Sequence, residues 1–382
     1  MPSNTANATQ LYVGLMSGTS MDGIDAVLLE IGAQGMQLRA AAQRDWPASL
    51  ATRLRRAAEH PDHASLTEYG ALDTAVALEF AQTVQQLLDA TRTAAASIRA
   101  IGSHGQTLLH RPRAALPFTL QIGDPNVIAE KCGIDVVADF RRRDVAAGGE
   151  GAPLAPAFHQ AAFGSRSETR AVLNLGGIAN ITLLRPDGTV LGFDTGPANC
   201  LMDSWIRSHL NQPYDRHGAW AAAGRVHETL LQQLLANAYF ARPAPKSTGR
   251  DEFSDAWLAQ ALPRGGLEAA DVQATLAELT ARSVADALLG LPAPCASRLL
   301  ICGGGAYNDH LVHRLQALLS GVILQSTADF GVAPEHVEAA AFAWLAHRHL
   351  QGGTANLPSV TGARHPVPLG ALFPGRAAVT EP

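Results

Sequence analysis

A glycine-rich loop near the start of the chain carries the densest group of residues that could bind phosphate. It reads Ser17-Gly18-Thr19-Ser20-Met21-Asp22-Gly23-Ile24-Asp25. Glycines let backbone N–H groups turn towards one point, where they bind anionic oxygens, and the hydroxyls of Thr19 and Ser20 add donors. Asp22 cannot contact phosphate directly but could hold Mg²⁺. Gly, Ser and Asp are also ordinary turn residues, so a plain hairpin tip is the alternative.

Two further glycine turns follow apolar, strand-like segments. Gly176-Gly177 lies within Asn174–Asn180, at the matching place in the second half of the chain. Gly303-Gly304-Gly305 follows the segment 298–302 and precedes a helical pattern, an arrangement that suits a flat ligand and an anion. The sequence contains neither the dinucleotide GxGxxG fingerprint nor a P-loop. The turns therefore predict a nucleotide site of another kind, in which two hairpin tips hold one polyphosphate.

One acidic residue, Asp194, ends a predicted strand (188–194) and precedes a predicted helix (197–209). A carboxylate at the C-terminal end of a strand in an open α/β sheet points into the ligand crevice. There it can accept a proton from an attacking hydroxyl group or water molecule. An N-cap role for the following helix is the alternative. Taken together with the glycine turns, the position favours catalysis.

Polar and charged side chains in three other places were also considered. The loop 101–107 (IGSHGQT) places Ser103 and His104 among neutral donors and acceptors, which suit sugar hydroxyl groups, although such a loop can also satisfy its own backbone. Three arginines at 141–143 can supply a fork for a carboxylate or phosphate, and a solvated charge run is the alternative for at least one of them. Glu338, within the last predicted helix, would ordinarily be a surface residue.

The elements that must position these residues repeat one pattern. Two strands joined by a glycine turn occur at 11–32 and again at 170–194, where a third strand completes a meander. The repeat predicts two α/β domains that face each other across a ligand cleft. Apolar residues at three- and four-residue spacing predict the helices 47–60, 65–95, 197–209, 217–238, 269–290, 306–319 and 334–350.

Composition narrows the class of protein. The 382 residues suffice for two domains, and 47% apolar with 16% charged residues is typical of a globular chain. No apolar run approaches the roughly 18 residues that span a bilayer, and the polar start does not resemble a signal peptide, so we expect a cytoplasmic protein without a membrane partner. The net charge of −5 and the lack of a large basic cluster argue against a nucleic-acid partner.

Lysine and cysteine usage adds two constraints. Lys131 and Lys246 are the only lysines of the sequence, so a nucleotide site must hold phosphates mostly without lysine. The four cysteines show no zinc-binding spacing, and we expect free thiols in a reducing compartment.

Six segments, in order, resemble the motifs of the anhydro-N-acetylmuramic acid kinases. The resemblance extends from about residue 11 to residue 375, and six motifs in the family's order are far more specific than any one of them. The segments are 14–25 (GLMSGTSMDGID), 102–107 (GSHGQT), 139–153 (DFRRRDVAAGGEGAP), 173–180, 192–197 (GFDTGP) and 302–308.

The resemblance implies a fold. It is the α/β acetate-kinase/sugar-kinase/Hsp70/actin (ribonuclease H-like) fold, whose two domains close over ATP and Mg²⁺. We expect residues 1–139 plus 350–382 to form an N-terminal lobe with the first phosphate loop and part of the sugar site. Residues 140–349 would form a C-terminal lobe with the second phosphate loop, the catalytic aspartate and the adenosine site. Family members commonly pair, so a homodimer is an expectation.

The resemblance also implies a reaction and its residues. ATP, water and 1,6-anhydro-N-acetylmuramic acid give ADP and N-acetylmuramic acid 6-phosphate, in recycling of cell-wall peptidoglycan. Asp194 matches the aspartate that deprotonates the water attacking C1, after which O6 leaves C1 and attacks the γ-phosphate. The phosphate and adenosine contacts would come from Ser17, Gly18, Thr19, Ser20, Met21, Asp22, Gly23, Ile24, Asp25, Gly176, Gly177, Gly303, Gly304 and Gly305, with Asp22 on Mg²⁺, and the sugar contacts from Ser103, His104, Arg143 and Glu338.

Three other functions remain open at this point. Another sugar kinase of the same fold could act on N-acetylhexosamines by direct attack of the 6-hydroxyl group, without consuming water. A non-catalytic, ATP-gated binding module would retain the loops but tolerate loss of the Asp194 carboxylate. A plain hydrolase would open the anhydro sugar without ATP.

Overall fold

The structure, a computed structural model, describes residues 9–18, 21 and 23–375. These residues divide into two compact units. The first unit contains the residues up to Phe158 and those from His336 onwards, and the second is His159–Glu335. The chain therefore leaves the first unit once and returns to it.

Each unit is built around one β-sheet. In chain order, the strands are β1 (Gln10–Ser17), β2 (Ile24–Gly32), β3 (Gly35–Arg44), β4 (Ile98–Arg111), β5 (Phe118–Ile122), β6 (Val136–Ala138), β7 (Arg170–Leu175), β8 (Ile178–Leu184), β9 (Val190–Pro197), β10 (Arg298–Cys302), β11 (Ile323–Ser326) and β12 (Ala371–Phe373).

Helices cover the sheets. In chain order, the α-helices are α1 (Ala48–Glu59), α2 (Leu66–Thr91), α3 (Pro125–Cys132), α4 (Phe140–Ala146), α5 (Ala155–Phe163), α6 (Asn199–Leu210), α7 (Ala219–Ala223), α8 (Glu228–Leu235), α9 (Asp255–Ala261), α10 (Ala269–Leu289), α11 (Asp309–Leu318), α12 (Val337–Leu350) and α13 (Pro358–Thr361). No helix in the described part of the chain is long and apolar enough to span a bilayer.

The two sheets share one topology. In the first, the order is β12-β6-β4-β1-β2-β3, with β5 paired to β4, and in the second it is β11-β10-β7-β8-β9. The first three strands of each unit form an antiparallel meander, and the next two main strands run parallel to the first strand of that meander. This duplicated arrangement confirms the predicted α/β, ribonuclease H-like fold class.

Several elements differ from the sequence prediction. Strand β3 was not predicted, because its Ala, Gln and Arg residues lack the β-branched side chains typical of strands. The predicted helix 217–238 is split into α7 and α8 at Gly224, where a Cβ atom would lie 2.0 Å from the Ala270 carbonyl oxygen. The predicted helix 306–319 is a 3₁₀ turn, Gly304–Tyr307, followed by α11.

The unit boundaries also differ from the prediction, which ended the first lobe at residue 139 and resumed it at residue 350. Helix α12 belongs to the first unit, because it packs directly on β1 and β4. The close approach is possible at Gly14 and Gly102, which lie side by side in the parallel ladder. A Cβ atom at these glycines would lie 1.9 Å from the Ala339 carbonyl oxygen and 2.0 Å from that of Phe342.

Candidate active site

The carboxyl group of Asp194 is held at one oxygen and open at the other. Oδ2 accepts hydrogen bonds from the hydroxyl of Ser247 and the backbone N–H of Thr248, both at 3.0 Å. Oδ1 has no hydrogen-bond partner in the part of the chain that the structure describes. Burial raises the pKa of Asp194, and the two hydrogen bonds oppose this effect without cancelling it. The carboxyl is therefore fixed in direction, with one oxygen available to accept a proton.

A β-bulge in β9 lies directly beside this carboxyl. Asn180 lies opposite Asp194, whereas Ala179 lies opposite Gly196, so Thr195 is an extra residue in β9. A bulge bends its strand and re-aims the neighbouring side chains. The local break in the ladder therefore falls at the residue that the sequence marks as catalytic.

The backbone of Asp194 is fixed as well. Its N–H donates to the Lys246 carbonyl at 2.9 Å, and its carbonyl accepts from the Tyr239 hydroxyl at 2.6 Å. Helix α6 begins at Asn199, and its N-cap is Ala198. Asp194 is too far from this end to cap the helix, so the alternative role considered for it in the sequence is wrong.

The glycine turn between β7 and β8 directs its carbonyl groups towards the start of α6. The Gly176 carbonyl accepts from the N–H of Asn199 at 3.0 Å, and the Gly177 carbonyl accepts from those of Ala198 and Cys200 at 3.0 and 3.1 Å. In a planar trans peptide the N–H points opposite to the preceding C=O. The N–H of Gly177 therefore points away from α6, where it can donate to an anion.

Two of the three glycines after β10 are required by close packing, and the third leaves a flat surface. A Cβ atom at Gly303 would lie 2.4 Å from Oδ1 of Asn174, and one at Gly305 would lie 2.6 Å from Cβ of Leu175. A Cβ atom at Gly304 would meet nothing within 4 Å. The exposed backbone at Gly304 can therefore accept a planar group against it.

In the first glycine loop, the Ser17 side chain supports the loop from beneath. The buried hydroxyl lies 2.7 Å from the Gly23 carbonyl oxygen and 2.8 Å from Oε1 of Gln106. The Gly18 carbonyl accepts from the N–H of Met21 at 3.1 Å. Ser17 therefore ties the two ends of the loop to β4.

The remaining residues of this loop divide by burial. The side chains of Met21 and Ile24 are buried in the core of the first unit, and Asp25, on β2, is half-buried. The other predicted contacts, Thr19, Ser20 and Asp22, lie outside the described residues. In the described part of the loop, the groups able to donate hydrogen bonds to a phosphate are therefore backbone N–H groups.

A polar cluster in the first unit joins β4 to α4. The Nε–H of Arg141 donates to Nε2 of His104 at 2.9 Å, and its Nη1 donates to the Gly151 carbonyl at 2.8 Å. Burial and the charge of Arg141 hold the pKa of His104 well below its usual range, so this imidazole is neutral. Ser103, next to it, is fully buried, and its hydroxyl lacks a hydrogen-bond partner among the described residues.

Glu338, in the first turn of α12, interacts electrostatically with Arg141 of this cluster. Its side chain is reached by solvent, but enclosure by protein raises the pKa of Glu338, and the attraction of Arg141 opposes this. Burial lowers the pKa of Arg141 to about 10, so the guanidinium stays charged. The structure therefore places a cation and a carboxylate near His104.

Arg143 does not join this cluster. It lies two residues after Arg141 on α4, is exposed, and its guanidinium forms no ion pair with a carboxylate in the described ranges. Its charge is therefore available to a ligand.

Ser247 and Thr248, which hold Asp194, escaped the sequence analysis, and Arg141 was not distinguished from its two arginine neighbours. The segment Lys246-Ser247-Thr248 contained a visible density of donors, but without a P-loop it gave no reason to expect a contact with Asp194. The arginine run was noticed, but its sequence does not show which member turns towards His104. Both contacts depend on chain segments that meet only in the folded protein.

Comparison with known proteins places the chain in a family. Its sequence matches the anhydro-N-acetylmuramic acid kinase family over residues 10–375. The anhydro-N-acetylmuramic acid kinase of Xanthomonas axonopodis pv. citri (strain 306) is 53% identical over 367 residues, 95% of this chain and 98% of the relative. That of Shewanella amazonensis (strain ATCC BAA-1098 / SB2B) is 51% identical over 366 residues, again 95% of this chain and 98% of the relative.

Among solved structures, the chain is similar to the activator of the 2-hydroxyisocaproyl-CoA dehydratase from Clostridium difficile with bound ADPNP. The two are 13% identical with a TM-score of 0.44, over 91% of this chain and 99% of that chain. The family match and the identity to the two bacterial relatives agree with the six motifs of the sequence. The chain belongs to the anhydro-N-acetylmuramic acid kinase family, and its class is that of the phosphotransferases.

Proposed function

We propose that this protein transfers the γ-phosphate of ATP to O6 of 1,6-anhydro-N-acetylmuramic acid while one water molecule opens the anhydro bridge. The products are N-acetylmuramic acid 6-phosphate and ADP, and the reaction serves peptidoglycan recycling. Family membership supports the substrate. The observation that carries the mechanism is the Asp194 carboxyl, anchored through Oδ2 by Ser247 and Thr248 with Oδ1 open.

Asp194 acts as the general base. Its open oxygen takes a proton from water, and the water oxygen forms a bond to C1 as the bond from C1 to O6 breaks. O6 then attacks the γ-phosphorus and ADP leaves. The raised pKa of Asp194 makes it a stronger base than an ordinary aspartate, while the hydrogen bonds from Ser247 and Thr248 keep it ionised.

The first unit supplies the sugar contacts in this proposal. Arg143, exposed and without an ion pair among the described residues, binds the lactyl carboxylate. Glu338 accepts from sugar hydroxyl groups. Ser103 and His104 lie buried on β4, which is a strand where the sequence predicted a loop. In this proposal His104 positions Arg141, whose Nε donates to it, and the Ser103 hydroxyl, which has no partner among the described residues, binds the sugar.

The nucleotide contacts follow the three glycine turns. Backbone groups of Ser17–Asp25 and of Gly176-Gly177 bind the phosphates, and Gly303–Gly305 receive the adenosine. The described residues contain no cluster of three or more side chains able to ligate a metal. Mg²⁺ binds in kinases mainly through phosphate oxygens and one or two carboxylates, and Asp22 is the proposed protein ligand. When bound, the ion would neutralise phosphate charge.

Two further parts of the proposal concern the setting of the enzyme. We place the reaction in the cytoplasm, which the four free cysteines support because a reducing compartment preserves thiols. We also propose a homodimer, as is common in the family.

The substrate is tested by ADP release with anhydro-N-acetylmuramic acid, its N-acetylglucosamine counterpart and glucose. We expect turnover with the first compound and incorporation of oxygen-18 from labelled water at C1 of the product. A product without the label would indicate direct attack by a 6-hydroxyl group. Opening of the anhydro sugar in the absence of ATP would indicate a hydrolase.

The role of Asp194 is tested by Asp194→Asn, which cannot accept the proton. We expect kcat to fall by about 10³-fold or more, because loss of a general base removes most of its contribution. Affinity for a nonhydrolysable ATP analogue should remain within about threefold of the wild type in a titration, since the substitution removes no phosphate donor. Near-normal turnover of this variant would contradict the proposed mechanism.

A further inference from the structure

Arg250 lies against the second glycine turn. If Gly177 carried a Cβ atom, it would lie 3.1 Å from Nη2 and 3.4 Å from Nε of Arg250. The arginine is exposed, and its guanidinium has neither an ion pair nor a hydrogen bond within the described ranges. An unpaired guanidinium therefore lies beside Gly177, whose backbone N–H points away from α6.

The segment that carries Arg250 also holds the catalytic carboxyl. Ser247 and Thr248 donate to Oδ2 of Asp194, and Arg250 follows two residues later. One short stretch of chain thus connects Asp194 to the Gly176-Gly177 turn. A cation on this segment lies at the phosphate turn and follows closely in sequence the two residues that hold the base.

The nearby lysine cannot serve as this cation. Nζ of Lys246 donates to the carbonyls of Tyr239 and Phe240, both at 3.1 Å, and lies 4.6 Å from the centre of the Tyr239 ring. Its ammonium group is thereby engaged away from the turn. The other lysine, Lys131, lies in the last turn of α3 in the first unit. Arg250 is therefore the free cation that the described part of the second unit offers at the glycine turn.

We propose that Arg250 binds the γ-phosphate of ATP and stabilises the negative charge that develops on the transferred phosphoryl group. The inference rests on the proposed function and assigns a further catalytic residue to it. Guanidinium groups suit this role because their planar fork can donate two hydrogen bonds to phosphate oxygens. Phosphoryl transfer is catalysed mainly by positioning and charge stabilisation, so such a contact has a large effect on turnover.

Nucleotide titrations with the purified full-length protein and MgCl₂ test the contact directly. We expect Arg250→Ala to weaken binding of AMPPNP about tenfold or more while binding of ADP changes by less than about twofold, since ADP lacks the γ-phosphate. Equal weakening of both nucleotides, or no weakening of either, would overturn the proposal. Arg264→Ala, an exposed arginine of the same unit, is the matched control and should leave both affinities unchanged.

Turnover gives a second measurement. We expect Arg250→Ala to lower kcat by about 10²-fold or more, and Arg250→Lys to recover only part of the loss because lysine lacks the planar fork. If the wild type is active, an unchanged kcat in Arg250→Ala would overturn the inference. An inactive wild type would instead refute the proposed function, and the nucleotide titrations would still decide whether Arg250 contacts the γ-phosphate.

Discussion

At the scale of single residues, the chemistry depends on two opposing effects on Asp194. Burial disfavours the charged carboxylate and raises its pKa, whereas the hydrogen bonds from Thr248 and Ser247 favour the charged form. The balance matters because the base works only when ionised. Of these donors, Thr248 uses its backbone and cannot be removed by substitution, so Ser247 is the place to change the balance.

Ser247→Ala should move the acidic limb of the pH profile of kcat/KM to higher pH. Without this hydrogen bond, which favours the charged form, the pKa of Asp194 rises further, so a larger fraction of the base is protonated on the acidic side. Well above that limb, the carboxylate is ionised in both proteins and their rates should converge. The measurement is ADP release across the pH range in which the wild type is folded.

The control for this prediction is Ser208→Ala. Within the described part of the chain, Ser208 bonds only to neighbours on α6, so its loss should leave the profile where it is. An unshifted profile in Ser247→Ala would show that this hydroxyl does not control the ionisation of the base.

At the scale of elements, α12 carries Glu338 and lies directly on the first sheet. The contact is made where Gly14 and Gly102 stand in register on β1 and β4, and it leaves no room for side chains. The backbone carbonyls of Ala339 and Phe342 occupy the space that a Cβ atom would need. The depth of the helix, and with it the position of Glu338, is therefore set by two glycines.

Gly102→Ala should displace α12 and lower the free energy of unfolding by about 1–3 kcal/mol, as overpacking does in a close-packed core. Because Glu338 moves with the helix, we also expect KM for the sugar to rise more than KM for ATP. Urea unfolding and steady-state kinetics measure these effects.

Gly70→Ala is the matched control. Gly70 lies inside α2 with open space where its Cβ would be, so alanine should be neutral or stabilise the helix by about 0.5–1 kcal/mol. If both variants were equally stable, α12 would have to be free to move, and the argument from close packing would fail.

At the scale of the whole molecule, the first unit is made from two separated stretches of chain, and a buried carboxylate joins them. Asp144 accepts from the N–H of Gly151 at 2.7 Å, from the amide of Asn356 at 2.7 Å and from the hydroxyl of Thr361 at 2.8 Å. The side chain is completely buried. Gly151 in turn receives Nη1 of Arg141, so the same carboxylate supports the polar cluster beside His104.

Asp144→Ala should therefore destabilise the protein by about 3 kcal/mol or more, because three buried donors lose their acceptor at once. Asp144→Asn, which keeps one acceptor oxygen, should lose less. Thermal and urea unfolding provide the measurement, and Asp62→Ala, at an exposed position of the same unit, should have little effect. A loss below about 1 kcal/mol for Asp144→Ala would mean that the returning segment is held by other contacts.

The sequence was enough to predict two α/β domains, because strand alternation, glycine turns and helical spacing act over short stretches. Through six motifs in order it also showed the resemblance that implied the fold class and the family. It also indicated Asp194 through its place between a strand and a helix. It did not predict β3, and its lobe boundaries differ from the bounds of the two compact units, since a strand of small and polar residues and the docking of α12 both depend on distant partners.

The packing of the chain in three dimensions sets which side chains hold the carboxylates of Asp194 and Asp144. Ser247 lies 53 positions after Asp194 in the sequence, and Asn356 lies 212 after Asp144, yet both pairs are hydrogen-bonded. No local rule links such residues, because a hydrogen bond depends on positions in space that the packing of whole elements sets. For the same reason the chain alone could not show that Arg141 turns to His104 while Arg250 lies over Gly177.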